Sequence, residues 1–175
     1  HFLFNTLNNL YSLALTNDAA LAGSIYKLSQ LMRYYMDERD REAVDIQVEV
    51  QAIQDFISLQ RLRIGNHCTI VERYEVAGFS KIIHPFILLP FVENAFKYGL
   101  SATEDCSLLF SILLTESSCT LHVENSIPTH KSEQYRTGTG LKNTRRLLEH
   151  FYPDRFDLAI QESTYRFEVT LLLYI

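Results

Sequence analysis

The apolar residues of this 175-residue chain change their spacing near Gly65, and that change is the strongest constraint on its fold. Before Gly65 they recur every three or four positions, and no proline occurs before Pro85. Such spacing predicts helices with one buried face. The face comprises Leu7, Leu10, Ala14, Leu21, Leu28, Leu31 and Tyr35. We expect a helix end and restart, or a kink, at residues 16–18, Thr-Asn-Asp, which compete for backbone hydrogen bonds. A third helical segment is expected over 46–64.

Residues after Gly65 alternate in hydrophobicity, as strands do. Five strands are predicted, at 69–76, 108–114, 120–125, 156–161 and 165–173. Helices are expected between them, at 90–98 and 141–151. This order predicts an α+β fold in which helices cover one face of a mixed sheet. We place a domain boundary after Gly65, with a helical region in 1–65 and a second domain in 66–175.

The composition fits a globular protein and argues against several classes of function. Hydrophobic residues make up 47% of the chain and charged residues 21%, with a formal net charge of −5. A negative chain without a basic run is not expected to bind nucleic acid or an anionic membrane surface. The longest apolar stretch, Ile82 to Val92, is interrupted by His84, Pro85 and Pro90, so we expect no segment to span a bilayer.

The three cysteines, Cys68, Cys106 and Cys119, lack the paired spacing of a metal site or a disulfide framework. We therefore expect reduced thiols, as in the cytosol. The chain does not begin with Met, and we expect it to be a piece of a longer protein.

The segment from Pro90 to Gly99 concentrates side chains that can perform chemistry. Pro90 suits the first turn of a helix and Gly99 suits its end. On such a helix Glu93, Asn94 and Lys97 are neighbours, because residues three or four apart share a face. An amide oxygen can bind Mg²⁺, an ammonium group can bind phosphate, and a carboxylate can orient or deprotonate an attacking group. The alternative is an ordinary exposed ion pair between Glu93 and Lys97.

Two glycines farther along the chain, Gly138 and Gly140, let backbone amides approach an anion at the start of a helix. Asn143 follows on the same predicted helix. A Gly-x-Gly pair alone is a weak motif. Its position after the 90–99 segment favours two halves of one nucleotide site.

These segments, together with the N-terminus, resemble sensor histidine kinases of the LytS-like type. Residues 93–97, Glu-Asn-Ala-Phe-Lys, and 138–143, Gly-Thr-Gly-Leu-Lys-Asn, are similar to the N box and G box of the GHKL ATPases. Residues 1–9, His-Phe-Leu-Phe-Asn-Thr-Leu-Asn-Asn, resemble the phosphoacceptor box of the family. Residues 28–35, Leu-Ser-Gln-Leu-Met-Arg-Tyr-Tyr, resemble the signature that follows it. The resemblance extends over nearly the whole chain.

The resemblance implies a GHKL (Bergerat-type) α/β sandwich in residues 66–175, and a dimerisation and phosphoacceptor region, truncated at its N-terminus, in residues 1–65. It also implies that His1 receives the γ-phosphoryl group of ATP with help from Glu93, as a base or by orienting a water. A response regulator then takes the phosphoryl group on an aspartate. ATP and Mg²⁺ are the implied cofactors, with Asn94 as metal ligand. The implied ATP-binding residues are Asn94, Lys97, Glu124, Gly138, Gly140 and Asn143.

Partners and location are implied in the same way. The regulator would be of the LytTR type, and the full-length protein would be a homodimer. The chain would be the cytoplasmic part of a bacterial sensor in the inner or plasma membrane, held there by an upstream region. We expect this piece alone to self-associate weakly and to phosphorylate itself little, because its apolar helical face lacks the helix before the histidine.

Two positions depart from the family pattern. Residues 124–126, Glu-Asn-Ser, stand where Asp-Asn-Gly is common and where the Asp binds the adenine amino group, and Tyr98 stands where a histidine is usual. We predict one cleft lined by Asn94, Lys97, Glu124 and Gly140. If Glu124 lies on the opposite side of the sheet from Asn94, this nucleotide assignment is contradicted.

The loop over 126–137 is expected to form a lid on the nucleotide. His130, Lys131 and Arg136 either reach phosphates or are incidental charges on it. Two alternatives to a kinase stay open at this point. One is a nucleotide-binding pseudokinase that signals without phosphotransfer, and the other is a helical dimerisation scaffold with a degenerate ATP fold.

Overall fold

The computed structural model describes residues 2–38, 41–76, 78, 80–101, 103–129 and 139–175, and within these ranges it contains five helices and seven strands. The helices are α1 (Phe2–Leu15), α2 (Ala20–Asp37), α3 (Ile46–Arg61), α4 (Leu89–Gly99) and α5 (Thr139–Phe151). The strands are β1 (Val44–Asp45), β2 (Cys68–Glu75), β3 (Ile82–Ile83), β4 (Cys106–Leu114), β5 (Ser118–Ser126), β6 (Phe156–Glu162) and β7 (Arg166–Tyr174). No helix in the described ranges is long and apolar enough to cross a membrane.

The helical region divides where the sequence predicts. After α1, Asn17 adopts a left-handed backbone with φ of 52°, and the Asp18 carboxylate accepts a hydrogen bond from the Ala20 amide at 2.8 Å. These two features end one helix and begin the next. α3 begins after Asp45, whose carboxylate accepts a hydrogen bond from the Gln47 amide at 2.8 Å and so caps the helix.

Five strands form one mixed sheet in the order β2-β4-β5-β7-β6. β2 runs parallel to β4, and the other neighbouring pairs are antiparallel. This confirms the predicted α+β fold with a mixed sheet. A separate ladder pairs β1 with β3, with Val44 opposite Ile83. The sequence does not predict this ladder, because a two-residue strand is too short to show alternation.

The helices lie against the face of the sheet that carries the apolar side chains. α4 packs on β4 and β5, and α3 packs between α4 and α2. One hydrophobic core cluster extends through these layers and includes Leu31 of α2, Ile53 of α3, Phe96 of α4 and Phe110 of β4. The core therefore joins the helical region to the sheet, and the boundary after Gly65 stays a prediction.

Two of the cysteines differ from the sequence expectation. Cys68 and Cys106 are joined in a disulfide, whereas three reduced thiols were expected. They are the first paired residues of the parallel strands β2 and β4, and their Cα atoms are 4.4 Å apart although 38 positions separate them in sequence. Strand register brings them together, and sequence spacing does not reveal it. Cys119 is free and buried.

Candidate functional site

Helix α4 carries three of the predicted site residues. Pro90 lies in its first turn, as expected for a residue without a backbone N–H. The apolar residues of the helix face the core, which leaves Glu93 and Asn94 half-buried and Lys97 exposed. The structure thus confirms the helix and leaves the three polar side chains outside its buried face.

The end of α4 makes a close contact with the sheet. A Cβ atom on Gly99 would lie 2.6 Å from the Cβ of Asn125 and 2.7 Å from a side-chain carbon of Leu108. Only a residue without a side chain permits this approach. Gly99 therefore sets how closely the polar face of α4 lies to strands β4 and β5.

Glu93 has a neighbour that the sequence did not suggest. The hydroxyl of Tyr35, on α2, donates a hydrogen bond to its Oε1 atom. Burial raises the pKa of the Glu93 carboxyl, while this hydrogen bond lowers it. One turn farther along, the Lys97 ammonium lies 5.0 Å from the centre of the Tyr98 ring.

A cavity of about 970 Å³ opens beside Glu93 and Lys97. Phe2, the first described residue of α1, lines the same cavity, together with Arg63 and His67 from the region after α3. It therefore brings the Glu93 carboxylate and the basic side chains of Arg63, His67 and Lys97 close to the start of α1. The lining also includes apolar side chains, among them Phe56, Phe96 and Leu100, so the cavity offers both charged and apolar surface to a ligand.

Asn94 is the predicted metal ligand. Its half-buried side chain makes no hydrogen bond to the described part of the chain, so its amide oxygen is free to bind a cation. In the same part of the chain, no three His, Cys, Asp or Glu side chains converge as a metal site would require. One amide oxygen can supply a single ligand to Mg²⁺, whose other ligands would come from phosphate and water.

The structure contradicts the assignment of Glu124 to this site. Residues of β5 alternate in burial, and Glu124 faces away from the helices, where its Oε2 lies 3.2 Å from a guanidinium nitrogen of Arg166. Asn94 lies on α4, on the other face of the sheet. The prediction that Asn94, Lys97, Glu124 and Gly140 line one cleft is therefore wrong for Glu124, and the nucleotide assignment that included Glu124 fails with it. Successive side chains of a strand point to opposite faces of the sheet. An alignment that is wrong by one residue therefore assigns a side chain to the wrong face.

The residue of this triplet that faces α4 is Asn125. Its side chain is 1% exposed, and its Nδ2 donates a hydrogen bond to the Ser126 carbonyl at 2.8 Å. Its Oδ1 is buried and has no hydrogen-bond partner in the described structure. Buried acceptors are rarely left unpaired, so this atom is a candidate for binding a ligand donor.

The second half of the predicted site lies at α5, which packs against α4. Gly140 is in the first turn of α5 and is exposed, with no atom near the position that a Cβ would occupy. Asn143, one turn farther along, is also exposed. His1, Gly138 and the predicted lid residues His130, Lys131 and Arg136 lie outside the described residues.

A buried carboxylate that the sequence analysis missed holds the start of α4. The Oε1 atom of Glu49, on α3, accepts hydrogen bonds from the amides of Leu88 and Leu89 at 2.7 and 3.0 Å. The N-cap residue of α4, Leu88, provides no side-chain cap of its own. The Tyr34 hydroxyl accepts a hydrogen bond from the Phe86 amide at 3.1 Å, and its proximity lowers the pKa of the Glu49 carboxyl. The sequence signal for these contacts was the segment 28–35, which resembles a family signature and contains Tyr34 and Tyr35.

Comparisons with known proteins bear on the family and the fold of this chain. Residues 1–68 match the family model described as Histidine kinase. The chain is 34% identical over 101 residues to the sensor histidine kinase YpdA of Escherichia coli K12. This alignment covers 57% of this chain and 18% of YpdA. It is 31% identical over 124 residues to the sensor protein kinase HptS of Staphylococcus aureus USA300, and this alignment covers 70% of this chain and 23% of HptS. The chain thus spans less than a quarter of the length of these relatives.

Solved structures share the fold. The histidine kinase domain of the blue-light activated histidine kinase from Erythrobacter litoralis EL346 superposes with a TM-score of 0.54 at 10% identity, over 94% of this chain and 80% of that one. A bacterial phosphotransferase superposes with a TM-score of 0.53 at 10% identity, over 97% of this chain and 87% of that one. At such low identity these matches establish the fold alone. The Histidine kinase family model and the sequence relatives support a sensor histidine kinase, and the solved structures support the fold of a histidine kinase domain.

Proposed function

We propose that this chain is the transmitter portion of a two-component sensor kinase and that it transfers the γ-phosphoryl group of ATP to His1. The observation that carries the proposal is the shared cavity. Phe2, the residue next to His1 in the sequence, lines it together with Glu93 and Lys97. The residue that follows the proposed phosphoacceptor thus lies at the same cavity as Glu93 and Lys97.

In the proposed reaction a ring nitrogen of His1 attacks the γ-phosphorus atom. A nitrogen–phosphorus bond forms as the bond from phosphorus to the β–γ bridging oxygen breaks, and ADP leaves. The Lys97 ammonium offsets negative charge on the phosphoryl oxygens. Glu93 takes the imidazole proton or orients the reacting group, and either role requires its carboxylate to face the cavity.

The nucleotide phosphates would lie between α4 and α5. Asn94 would hold Mg²⁺, which neutralises phosphate charge when bound. The backbone amides at the start of α5, near Gly138 and Gly140, would receive the phosphates with support from Asn143. Each of these groups binds and positions ATP.

We propose Asn125, and not Glu124, as the residue that accepts a hydrogen bond from the adenine amino group. The unpaired Oδ1 of Asn125 is an acceptor on the α4 side of the sheet, and the adenine amino group is a donor. Glu124 is instead engaged with Arg166 on the far face. An amide oxygen in this position supports adenine binding without a second negative charge near the phosphates.

A homodimer of the full-length protein is supported by an exposed apolar stripe on α1. Side chains at a spacing of three or four residues expose 47% to 73% of their surface: Phe4, Leu7, Tyr11 and Leu15. By contrast, Leu10, Leu28 and Leu31 from the predicted stripe are buried within the chain. A stripe of this kind is typical of a helix-bundle interface, so the dimer contact is proposed on the Leu7 side of α1.

The proposed partner is a response regulator, of the LytTR type on the strength of the LytS-like motifs. Its aspartate would accept the phosphoryl group from His1. Because both relatives are named sensor kinases and are far longer than this chain, we place it as the cytoplasmic part of a bacterial membrane sensor.

Calorimetric titration with Mg·ATP tests the nucleotide site. We expect saturable binding that Asn94→Ala weakens by about tenfold or more, since a lost charge-assisted contact is worth roughly 1.5–3 kcal/mol. Glu124→Gln is the matched control and should bind like the wild type. Absence of binding would support the scaffold alternative, and a larger loss for Glu124→Gln than for Asn94→Ala would refute the proposed site.

A further inference from the structure

Tyr35 links the helical region to the helix that carries the candidate site. It lies near the end of α2, and its hydroxyl donates a hydrogen bond to Glu93 on α4, although 58 positions separate the two in sequence. Both side chains are half-buried. The hydroxyl therefore contacts the carboxylate at the margin of the cavity, where Lys97 and Arg63 are the neighbouring cations.

The ring of Tyr35 packs against two other aromatic rings, those of Phe86 and Tyr34. Phe86 stacks on it with ring centres 5.7 Å apart and planes inclined by 11°, and the Tyr34 ring lies 6.1 Å away. Phe86 has a φ of 61°, a left-handed conformation that is strained for a bulky residue. Such strain persists where the surroundings fix the conformation and is frequent near functional sites. The turn before α4 thus places the Phe86 ring against the ring of Tyr35.

We propose that Tyr35 is a positioning residue for phosphoryl transfer, whose hydroxyl holds the Glu93 carboxylate towards the attacking imidazole. This inference rests on the proposed kinase function. A glutamate has three side-chain torsions and samples several rotamers, whereas a tyrosine has two, and here its ring is stacked. The hydrogen bond removes that freedom from Glu93. Tyr35 itself touches neither the nucleotide nor the phosphoacceptor in this scheme.

The contact also makes the orientation of Glu93 depend on α2. Asn94 and Lys97 are held by α4 alone, but the carboxylate is held from the helix that follows the phosphoacceptor segment. Loss of the hydroxyl should therefore affect the transfer step and leave nucleotide binding in place.

The test uses the whole kinase that contains this chain, with Tyr35→Phe, Glu93→Gln and the double variant. Tyr26→Phe, on the exposed surface of α2, is the matched control. The initial rate of His1 phosphorylation at saturating Mg·ATP and the dissociation constant for Mg·ATP are measured for each. We expect Tyr35→Phe to lower the rate by about tenfold to a hundredfold, with the dissociation constant within about twofold of wild type. In the Glu93→Gln background the same change should cause no further loss, because Tyr35 acts through Glu93.

Three results would overturn the inference: an unchanged rate in Tyr35→Phe, equal losses of rate and affinity, or a full additional loss in the Glu93→Gln background. The second would show a structural role for Tyr35, and the third a role independent of Glu93. These are distinct from failure of the proposed function. In that case wild type and Tyr26→Phe would bind Mg·ATP and label no histidine, and the inference would fall with the function.

Discussion

Replacing Glu49 with glutamine is expected to reduce the dependence of stability on pH. Glu49 is fully buried and caps the first turn of α4 through the amides of Leu88 and Leu89. Its second oxygen, Oε2, has no hydrogen-bond partner in the described structure. A carboxylate in this position is poorly solvated, and its charged form is therefore disfavoured.

The size of the expected change in unfolding free energy follows from the ionisation of Glu49 alone. Burial raises the pKa of Glu49 from 4.5 to about 7, partly opposed by the hydrogen bonds from the α4 amides and Tyr34. Between those two values the folded protein holds a proton that the unfolded chain releases. The free energy of unfolding therefore falls as pH rises from about 4.5 through about 7. Over about pH 5 to about pH 8 the loss due to Glu49 is between about 2 and 3 kcal/mol.

The assay is urea unfolding of the nucleotide-free protein, followed by circular dichroism at several pH values across that range. Glutamine keeps the shape and an acceptor oxygen but does not ionise, so the Glu49→Gln protein should lose about 2 to 3 kcal/mol less than wild type between the two ends. Glu149→Gln, which changes an exposed carboxylate on α5, is the control and should follow wild type. A Glu49→Gln protein with the full wild-type pH dependence would refute the reasoning.

The remaining predictions concern the site and the dimer. Asn94→Ala should cost less than about 1 kcal/mol of unfolding free energy without nucleotide, because its half-buried side chain makes no hydrogen bond to the described part of the chain; a large fall in thermal midpoint would make it structural. Asn125→Ala should weaken Mg·ATP binding, by calorimetry, more than it weakens binding of Mg²⁺ with inorganic triphosphate, and equal losses would contradict adenine contact. Leu7→Glu should weaken self-association of the full-length kinase in sedimentation by at least about tenfold, whereas Ile160→Glu, an exposed apolar residue on β6, should not.

Much of the fold was predictable because it depends on local patterns. Asn17 and Asp18 interrupt the helical spacing with residues that favour turns, and the break between α1 and α2 lies there. The alternation in β6 and β7 likewise predicts two neighbouring strands, and they pair. The polar face of α4 follows from the spacing of Glu93 and Lys97 in a helix framed by proline and glycine.

What the sequence did not predict depends on contacts between distant segments. The disulfide requires the register of β2 with β4, and the Tyr35–Glu93 hydrogen bond requires the packing of α2 beside α4. The assignment of Glu124 failed at a finer level, since the triplet was correctly placed at the end of β5 but its inward member is Asn125. Sequence similarity alone did not decide which of two adjacent residues faces the helices.

Phosphorylation of His1 in the whole kinase tests the central claim most directly. After incubation with Mg²⁺ and ATP that carries a radioactive γ-phosphate, we expect a label that is stable in alkali, labile in acid and absent from His1→Gln. Added response regulator should remove the label from His1 and acquire it on an aspartate. A kinase that binds Mg·ATP but acquires no acid-labile label, or a label that persists in His1→Gln, would contradict the account.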